Sequence, residues 1–272
     1  MKIIVYGLGI IGASVAASLK AAGHEVLGKN RSQESVEYAL AHHMIDASAS
    51  DYEGADVIFL ALPPYVTMQL LSEGNFPAGC IVSDICGVKE PLENAVYAKP
   101  RDWYYVGTHP MAGKETSGIR SASEKLFHGA NFIITRCKHS NAAAIQTVRD
   151  LANDMQVGRI IECDADMHDR MIALTSQLAH VVANAYVTSP LSASCKGFTG
   201  GSFQDMSRVA PVDESVWAEL FSINSTYLAE EIERLEKRLE EFRKAVLAQD
   251  EDRIQMLMRE GKASYGEFFR GK

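Results

Sequence analysis

The first twenty-three residues constrain the fold more than any other stretch. Lys2-Ile-Ile-Val-Tyr6 is a short apolar, β-branched run that reads as a buried strand. It leads straight into Gly7-Leu8-Gly9-Ile10-Ile11-Gly12, and the alanine-rich run Ala13–Ala22 then reads as a helix closed by Gly23. G-x-G-x-x-G between a strand and a helix has a mechanical meaning. Gly7 permits the tight turn, Gly9 lets a pyrophosphate approach the backbone, and Gly12 lets helix pack on strand. The free N–H groups and positive dipole end of the helix would hold the phosphates. Residues Gly7, Leu8, Gly9, Ile10, Ile11 and Gly12 are thus the expected cradle for a dinucleotide; the alternative is a tight βα turn that binds nothing.

The second strand, Glu25-Val-Leu-Gly28, is followed by Lys29-Asn30-Arg31-Ser32. NAD enzymes commonly place an acid at the end of this strand to bind the ribose hydroxyls. Here Asn30 stands there, 18 residues after Gly12. An acid would repel a 2′-phosphate, whereas Asn30, Arg31 and Ser32 offer hydrogen bonds and a planar cation. The loop therefore favours NADP over NAD; a solvated loop with an ordinary arginine is the alternative.

Apolar runs continue at Asp56–Leu62, Cys80–Ile85, Trp103–Val106 and Asn131–Thr135, with helical stretches around 88–98 and 141–155. Alternation of this kind predicts a mainly parallel sheet covered on both faces. Ligands in such folds sit beyond the C-terminal strand ends. The loops after Leu62, Ile85 and Val106 should then line the site, with Leu62 and Pro63 near the cofactor.

From about Asp164 the strand signal stops. Met167, Met171, Leu174, Leu178, Val181 and Ala185 recur at helical spacing, and Pro190 closes that helix. Leu228, Ile232, Leu235, Leu239, Phe242 and Val246 alternate at spacings of four and three, a heptad seam. The seam predicts a helical domain that also forms a homodimer, or else packing within its own domain. The expected architecture is α/β: an N-terminal Rossmann-type, doubly wound parallel sheet over 1–162, then an all-helical substrate and dimerisation domain over 163–272.

Charge sets the excluded classes. The net charge is −8, and residues 213–252 carry 12 acidic and 5 basic side chains, a solvated helix face. An acidic chain of this kind is a poor nucleic-acid binder. No run of about 18 apolar residues suggests a membrane span, and a strand starting at Lys2 leaves no room for a signal peptide. Cys80, Cys86, Cys137, Cys163 and Cys195 form no CxxC pair, as expected of thiols in a reducing cytoplasm. No metal site is expected.

Chemistry concentrates after the fifth apolar run, in Gly107-Thr-His-Pro-Met-Ala-Gly113-Lys114-Glu115-Thr-Ser-Gly118. A histidine at the C-terminal end of that strand would stand over a bound nicotinamide and could accept a proton as hydride leaves. On spacing alone, a turn-stabilising histidine is an equal reading.

The H-P-M-A-G-x-E-x-S-G string closely resembles that of the prephenate/arogenate dehydrogenase family of tyrosine biosynthesis. Thr175-Ser-Gln-Leu-Ala-His180 is similar to the family's T-S-x-L-P-H, and Gly200–Ala210 to G-G-G-F-R-D-x-T-R-I-A. Asp213 to Trp217 and Asn224 follow in the family's order. The resemblance implies oxidative decarboxylation of prephenate or arogenate, with hydride from C4 going to NADP, or to NAD. It implies that His109 is the base for the C4 hydroxyl, that Arg208 binds a substrate carboxylate, and that His180 helps to hold the substrate. Glu115 resembles a gating acid; Lys114 adds positive charge at the pocket; Ser176 and Trp217 are candidate substrate contacts, and Asn224 a candidate support for the arginine region.

There are departures. The family's D-V-G-S-V-K is here Asp84-Ile-Cys-Gly-Val-Lys89, so Gly87 replaces a serine that partners the catalytic histidine in many members. A water or another side chain must supply that contact. Cys86 is expected to pack rather than react. Ala179 stands for Pro and Gln204 for Arg. The competing readings are another two-domain NADP reductase of imine or β-hydroxyacid type, and a non-catalytic NADP sensor. No residue reads the difference between prephenate and arogenate.

Overall fold

The structure is a computed structural model that describes residues 1–113, 116 and 118–269. Its first half alternates β1 (Lys2–Tyr6), α1 (Ile10–Ala21), β2 (Glu25–Lys29), α2 (Gln33–Ala41), β3 (Ala47–Ser48), β4 (Val57–Leu60), α3 (Pro64–Glu73), β5 (Ile81–Asp84) and α4 (Glu90–Tyr97). The sheet is completed by β6 (Tyr104–Pro110), β7 (Asn131–Thr135), α5 (Ala142–Asp154) and β8 (Arg159–Cys163). The helices α6 (Ala165–Ile172), α7 (Leu178–Val187), α8 (Gly201–Ser207), α9 (Glu214–Ile223), α10 (Ser225–Leu247) and α11 (Glu251–Phe269) follow.

The eight strands lie in the order β3-β2-β1-β4-β5-β6-β7-β8. Every pairing is parallel except the antiparallel one between β6 and β7. Because side chains alternate across a strand, β1 sends Ile3 and Val5 into a core with Leu19, Phe59 and Phe132. It sends Ile4 to the other face, with Ile58, Val82, Leu92 and Tyr105. A sheet buried on both faces needs apolar residues at both parities, which is why its strands read as continuous apolar runs.

The strand order reverses between β1 and β4, and a crevice opens at their carboxyl ends. Gly7 closes β1 at φ +103°, and a side chain there would meet the Ala61 carbonyl oxygen. A Cβ on Gly12 would lie 1.9 Å from the Gly7 carbonyl oxygen and 2.7 Å from the Ala61 Cβ. A Cβ on Gly9 would meet nothing within 4 Å, so the space beside it is open to a ligand.

β6 runs further than the expected Trp103–Val106. Past β5 it zips onto β7, with His109 opposite Ile133. β8 and the two-residue β3 have no apolar-run signature. β8 is only half-buried and carries Arg159 and Glu162, so its pairing with β7, rather than hydrophobicity, makes it a strand.

The apolar stripe expected on the helix after Asp164 does not face the core. Met167, Met171 and Leu174 are exposed, and the buried face of α6 is Ala165, His168, Asp169 and Ile172. A π-turn at Ala173–Gln177 then inserts extra backbone before α7, which breaks the single continuous face.

Met1–Asn224 form one compact unit, and the chain from Ser225 onward forms a second. The second is a helical hairpin with its turn at Gln249, φ +55°. Arg253 and Arg238 each lie 2.9 Å from the Glu241 carboxylate, so part of the charge run pairs within the hairpin. Leu228 and Leu257 are buried, yet the seam residues Leu239 and Val246 remain 58% and 59% exposed. No helix among the described residues is long and apolar enough to cross a membrane, and all five cysteines are free.

The close approach at Gly12 gives a direct test. Gly12→Val must push α1 off β1, and overpacking of this kind costs about 1–3 kcal/mol. We expect a lower melting temperature and at least a tenfold loss of dinucleotide affinity, read by thermal unfolding and nicotinamide-nucleotide titration. Wild-type values for both would contradict this reading of the turn.

Candidate active site

A cleft of about 600 Å³ opens at the carboxyl ends of β1, β4, β5 and β6. One wall is the glycine turn and start of α1, Gly9 to Gly12, beside Ala61, Leu62, Pro63 and Pro64. The floor is Ile85, Cys86 and Gly87, with His109 to Gly113 next to it. The opposite wall comes from helices and includes Ile172, Ser176, His180, Trp217 and Leu220. The loops after β4 and β5 therefore line the site as expected, whereas the β6 contribution begins inside the strand.

The glycine wall suits a dinucleotide. The 12-residue α1 has no acidic residue in its first turn, so its N-terminal amides and dipole face open space with nothing to repel phosphate. Leu8 is buried, and its N–H donates to Asn30 Oδ1 at 3.0 Å. Ser32 caps α2 by accepting from the Ser35 N–H at 3.3 Å. Of the three residues expected around a 2′-phosphate, Asn30 and Ser32 are thus occupied locally, while Arg31 is exposed.

His109 sits on a strand that has outrun its neighbour, since β5 pairs with β6 only as far as Asp84 opposite Gly107. The imidazole is half-buried, with Nδ1 2.9 Å from His168 Nε2. Burial, then the His168 ring and the Lys89 ammonium, hold the His109 pKa well below 6.5. At neutral pH it is an uncharged base.

Across the cleft, Ile172, Ser176 and His180 fall at intervals of four residues through the π-turn, and all three line it. His180 Nδ1 donates to the Val209 carbonyl at 2.8 Å, and its ring packs on Trp217 with centroids 3.8 Å apart. Trp217 in turn meets Phe221 edge-on at 5.5 Å. Both cleft histidines are therefore held through Nδ1.

A model of the prephenate dehydrogenase nucleotide-binding domain matches residues 15–162, and one of the prephenate dehydrogenase dimerization domain matches residues 164–260. The chain is 30% identical to a prephenate dehydrogenase of Lactococcus lactis, over 96% of this chain and 75% of that protein. The chain belongs to the prephenate dehydrogenase family.

The fold agrees with solved members. A prephenate dehydrogenase from A. aeolicus, in complex with hydroxyphenyl propionate and NAD+, superimposes with a TM-score of 0.84 at 24% identity, covering 98% of each chain. Synechocystis arogenate dehydrogenase gives 0.83 at 24% identity, covering 98% of this chain and all of that one.

Other prephenate dehydrogenase motif residues are not all at the cleft. Arg208 caps the end of α8 and is exposed. It is not part of the cleft lining and makes no ion pair with Asp205 among the described residues; the short helix ends one residue before it, and its guanidinium remains in solvent. Lys114 and Glu115 lie outside the described residues. Asn224 supports α6 and the π-turn rather than the arginine region. It is buried, and its Nδ2 donates to the Asp169 carbonyl at 3.0 Å and to Gln177 Oε1 at 2.8 Å.

Gly87 leaves no side chain beside His109. A Cβ there would lie 3.8 and 3.9 Å from His109 Cε1 and Nε2, an ordinary contact distance, so the serine of other members would fit. Cys86 is buried, with Sγ 3.5 Å from the Leu62 carbonyl and from Thr67 Oγ1. Burial and the Asp84 charge push its thiol up to about 12, which keeps it protonated and unreactive at neutral pH.

Several site residues were not read from the sequence. His168 and Asp169 hide in a helix whose apolar stripe points elsewhere, and Tyr105 in an apolar strand. Their one signal is an adjacent His-Asp pair on the face opposite the methionines, which became informative only with the burial pattern in hand.

The lowered His109 pKa has a kinetic consequence. Protonation would block the base, and the protonated form gains population only well below pH 6.5. We expect kcat/KM to show no acid limb down to pH 6.5 and to fall only at lower pH, as the imidazole takes up its proton. An acid limb centred at or above 6.5 would show that the imidazole is not held neutral.

Proposed function

We propose that this prephenate/arogenate dehydrogenase uses His109 as its base and takes NADP in preference to NAD. The observation that carries the proposal is a single cleft in which the glycine turn faces His109 on one side and His180 on the other. Gly7 to Gly12, with Leu62 and Pro63, would hold the dinucleotide, and the open space at Gly9 fits its phosphates. The bound nicotinamide supplies the hydride acceptor.

His109 takes the C4 hydroxyl proton as the C4–H bond breaks toward the cofactor. The C1–carboxylate bond then breaks, carbon dioxide leaves, and the bonding pair completes the aromatic ring. His180 and Ser176 bind the ring substituents, with Trp217 packed against His180. Arg208 binds a carboxylate: the carbonyl of its neighbour Val209 accepts from His180, a residue of the cleft wall. Lys114 and Glu115, which follow Gly113 in the chain, stay candidate substrate contacts on the motif alone. Arg31 is the cation available for a 2′-phosphate.

The division at 162/163 would separate the dinucleotide part from the substrate and dimerisation part, in line with the two matched domain models. A homodimer would cover the half-exposed seam at Leu239 and Val246. Sedimentation should report twice the chain mass of 29.8 kDa.

The test follows reduced nicotinamide with either cyclohexadienol and either dinucleotide. Turnover of prephenate or arogenate is expected, with His109→Asn lowering kcat about 10²–10⁴-fold and leaving cofactor affinity intact. Arg208→Ala should mainly raise KM. Arg31→Ala should erode the preference for NADP; an unchanged NADP-to-NAD ratio would remove Arg31 from the cofactor site. No turnover despite dinucleotide binding would favour the sensor.

A further inference from the structure

We infer that His168 and Asp169 are positioning residues that fix the tautomer of His109, so that its Nε2 meets the substrate as a bare lone pair. This deepens the reading of His109 as the base and rests on it.

The argument follows the protons. Asp169 Oδ1 accepts from the Lys89 N–H at 2.8 Å, and Oδ2 accepts from the Glu90 N–H at 2.9 Å, both at the start of α4. A carboxylate held by two amides has only acceptor capacity. Asp169 Oδ1 lies 2.6 Å from His168 Nδ1, so that nitrogen must carry the hydrogen. His168 is buried, and burial followed by the Lys89 ammonium holds its pKa well below 6.5. It is neutral, and a neutral imidazole protonated at Nδ1 has a bare Nε2.

That bare Nε2 lies 2.9 Å from His109 Nδ1. Two lone pairs at that distance repel, so His109 Nδ1 carries the hydrogen and donates. The remaining nitrogen of His109, Nε2, is then the acceptor. It is also the nitrogen nearest the space above Gly87, where a serine would otherwise supply a partner. Since Gly87 supplies none, the ring is oriented here from the Nδ1 side. The carboxylate is anchored to α4, the relay histidine rides on α6, and the base sits on β6. Three elements far apart in sequence thus converge on one proton position.

Orientation of this kind matters for rate. An imidazole in the wrong tautomer presents N–H where a lone pair is needed, and a correctly placed base then contributes nothing. His168→Leu removes the acceptor while keeping an apolar filling. His168→Gln restores it, because its Oε1 occupies roughly the position of Nε2.

The experiment compares these two variants with wild type by steady-state kinetics, dinucleotide titration and ¹⁵N NMR of labelled histidines. In wild type, His109 should show Nδ1–H and an unprotonated Nε2. His168→Leu should lose about 10²–10⁴ in kcat, with KM and dinucleotide affinity nearly unchanged. Its His109 signal should move to the Nε2–H form or to a mixture. His168→Gln should keep the wild-type tautomer and recover most of the lost rate.

Wild-type His109 found as Nε2–H overturns the inference, as does a folded His168→Leu with kcat within about threefold of wild type. If His168→Leu does not fold, the wild-type NMR and His168→Gln still decide. If wild type turns over neither cyclohexadienol, the base assignment fails, while the NMR reports separately on the relay.

Discussion

The site depends on a buried ion pair beneath it. Lys89 and Asp84 are both fully buried, with Nζ and Oδ2 2.5 Å apart. Charges taken out of water are tolerated when they are paired and hydrogen-bonded. Here the carboxylate accepts three hydrogen bonds and the ammonium donates two. Asp84 Oδ1 accepts from the Tyr105 hydroxyl at 2.7 Å, and Oδ2 accepts also from the Cys86 N–H at 2.7 Å. The Lys89 ammonium also donates to the Cys86 carbonyl at 2.7 Å. The pair folds residues 84–89 into one shape, which sets Gly87 beneath His109 and aims the Lys89 and Glu90 amides at Asp169. Losing one partner leaves a bare buried charge, a penalty of about 3–5 kcal/mol, and would loosen each later link to the base.

The same cluster sets the electrostatics. A buried ammonium near two imidazoles disfavours a third positive charge, and both rings are held neutral by burial and that cation. Asp169 is pushed up to about 6 by burial, against the pull of its two amides, and so is an anion at neutral pH. A neutral, weak base suits a proton whose acidity rises only as hydride departs.

At the dinucleotide end, Asn30 has a second function apart from any preference for phosphate. Its Oδ1 holds the Leu8 N–H and so fixes the glycine turn. An acid could make the same bond but would add a charge. Asn keeps the acceptor without adding a charge, so a neutral hydrogen bond holds the turn.

The sequence determined the parts that depend on local chemistry. Strand, glycine turn and helix were legible in residues 2–23, because tight turns and close backbone approach require glycine at fixed spacing. His109, His180, Ser176 and Trp217 were legible through motifs, and the structure brings all four to one cleft. The tertiary structure decided what periodicity cannot. A helical stripe states which residues share a face, not what covers that face, and the Met167–Leu174 stripe turned outward while His168 and Asp169 turned in. The relay joins residues 59 and 80 positions apart, whose pairing exists only once β6, α4 and α6 pack together. β6 likewise carries His109 as strand rather than loop because β7, twenty-odd residues later, supplies the hydrogen bonds that extend it.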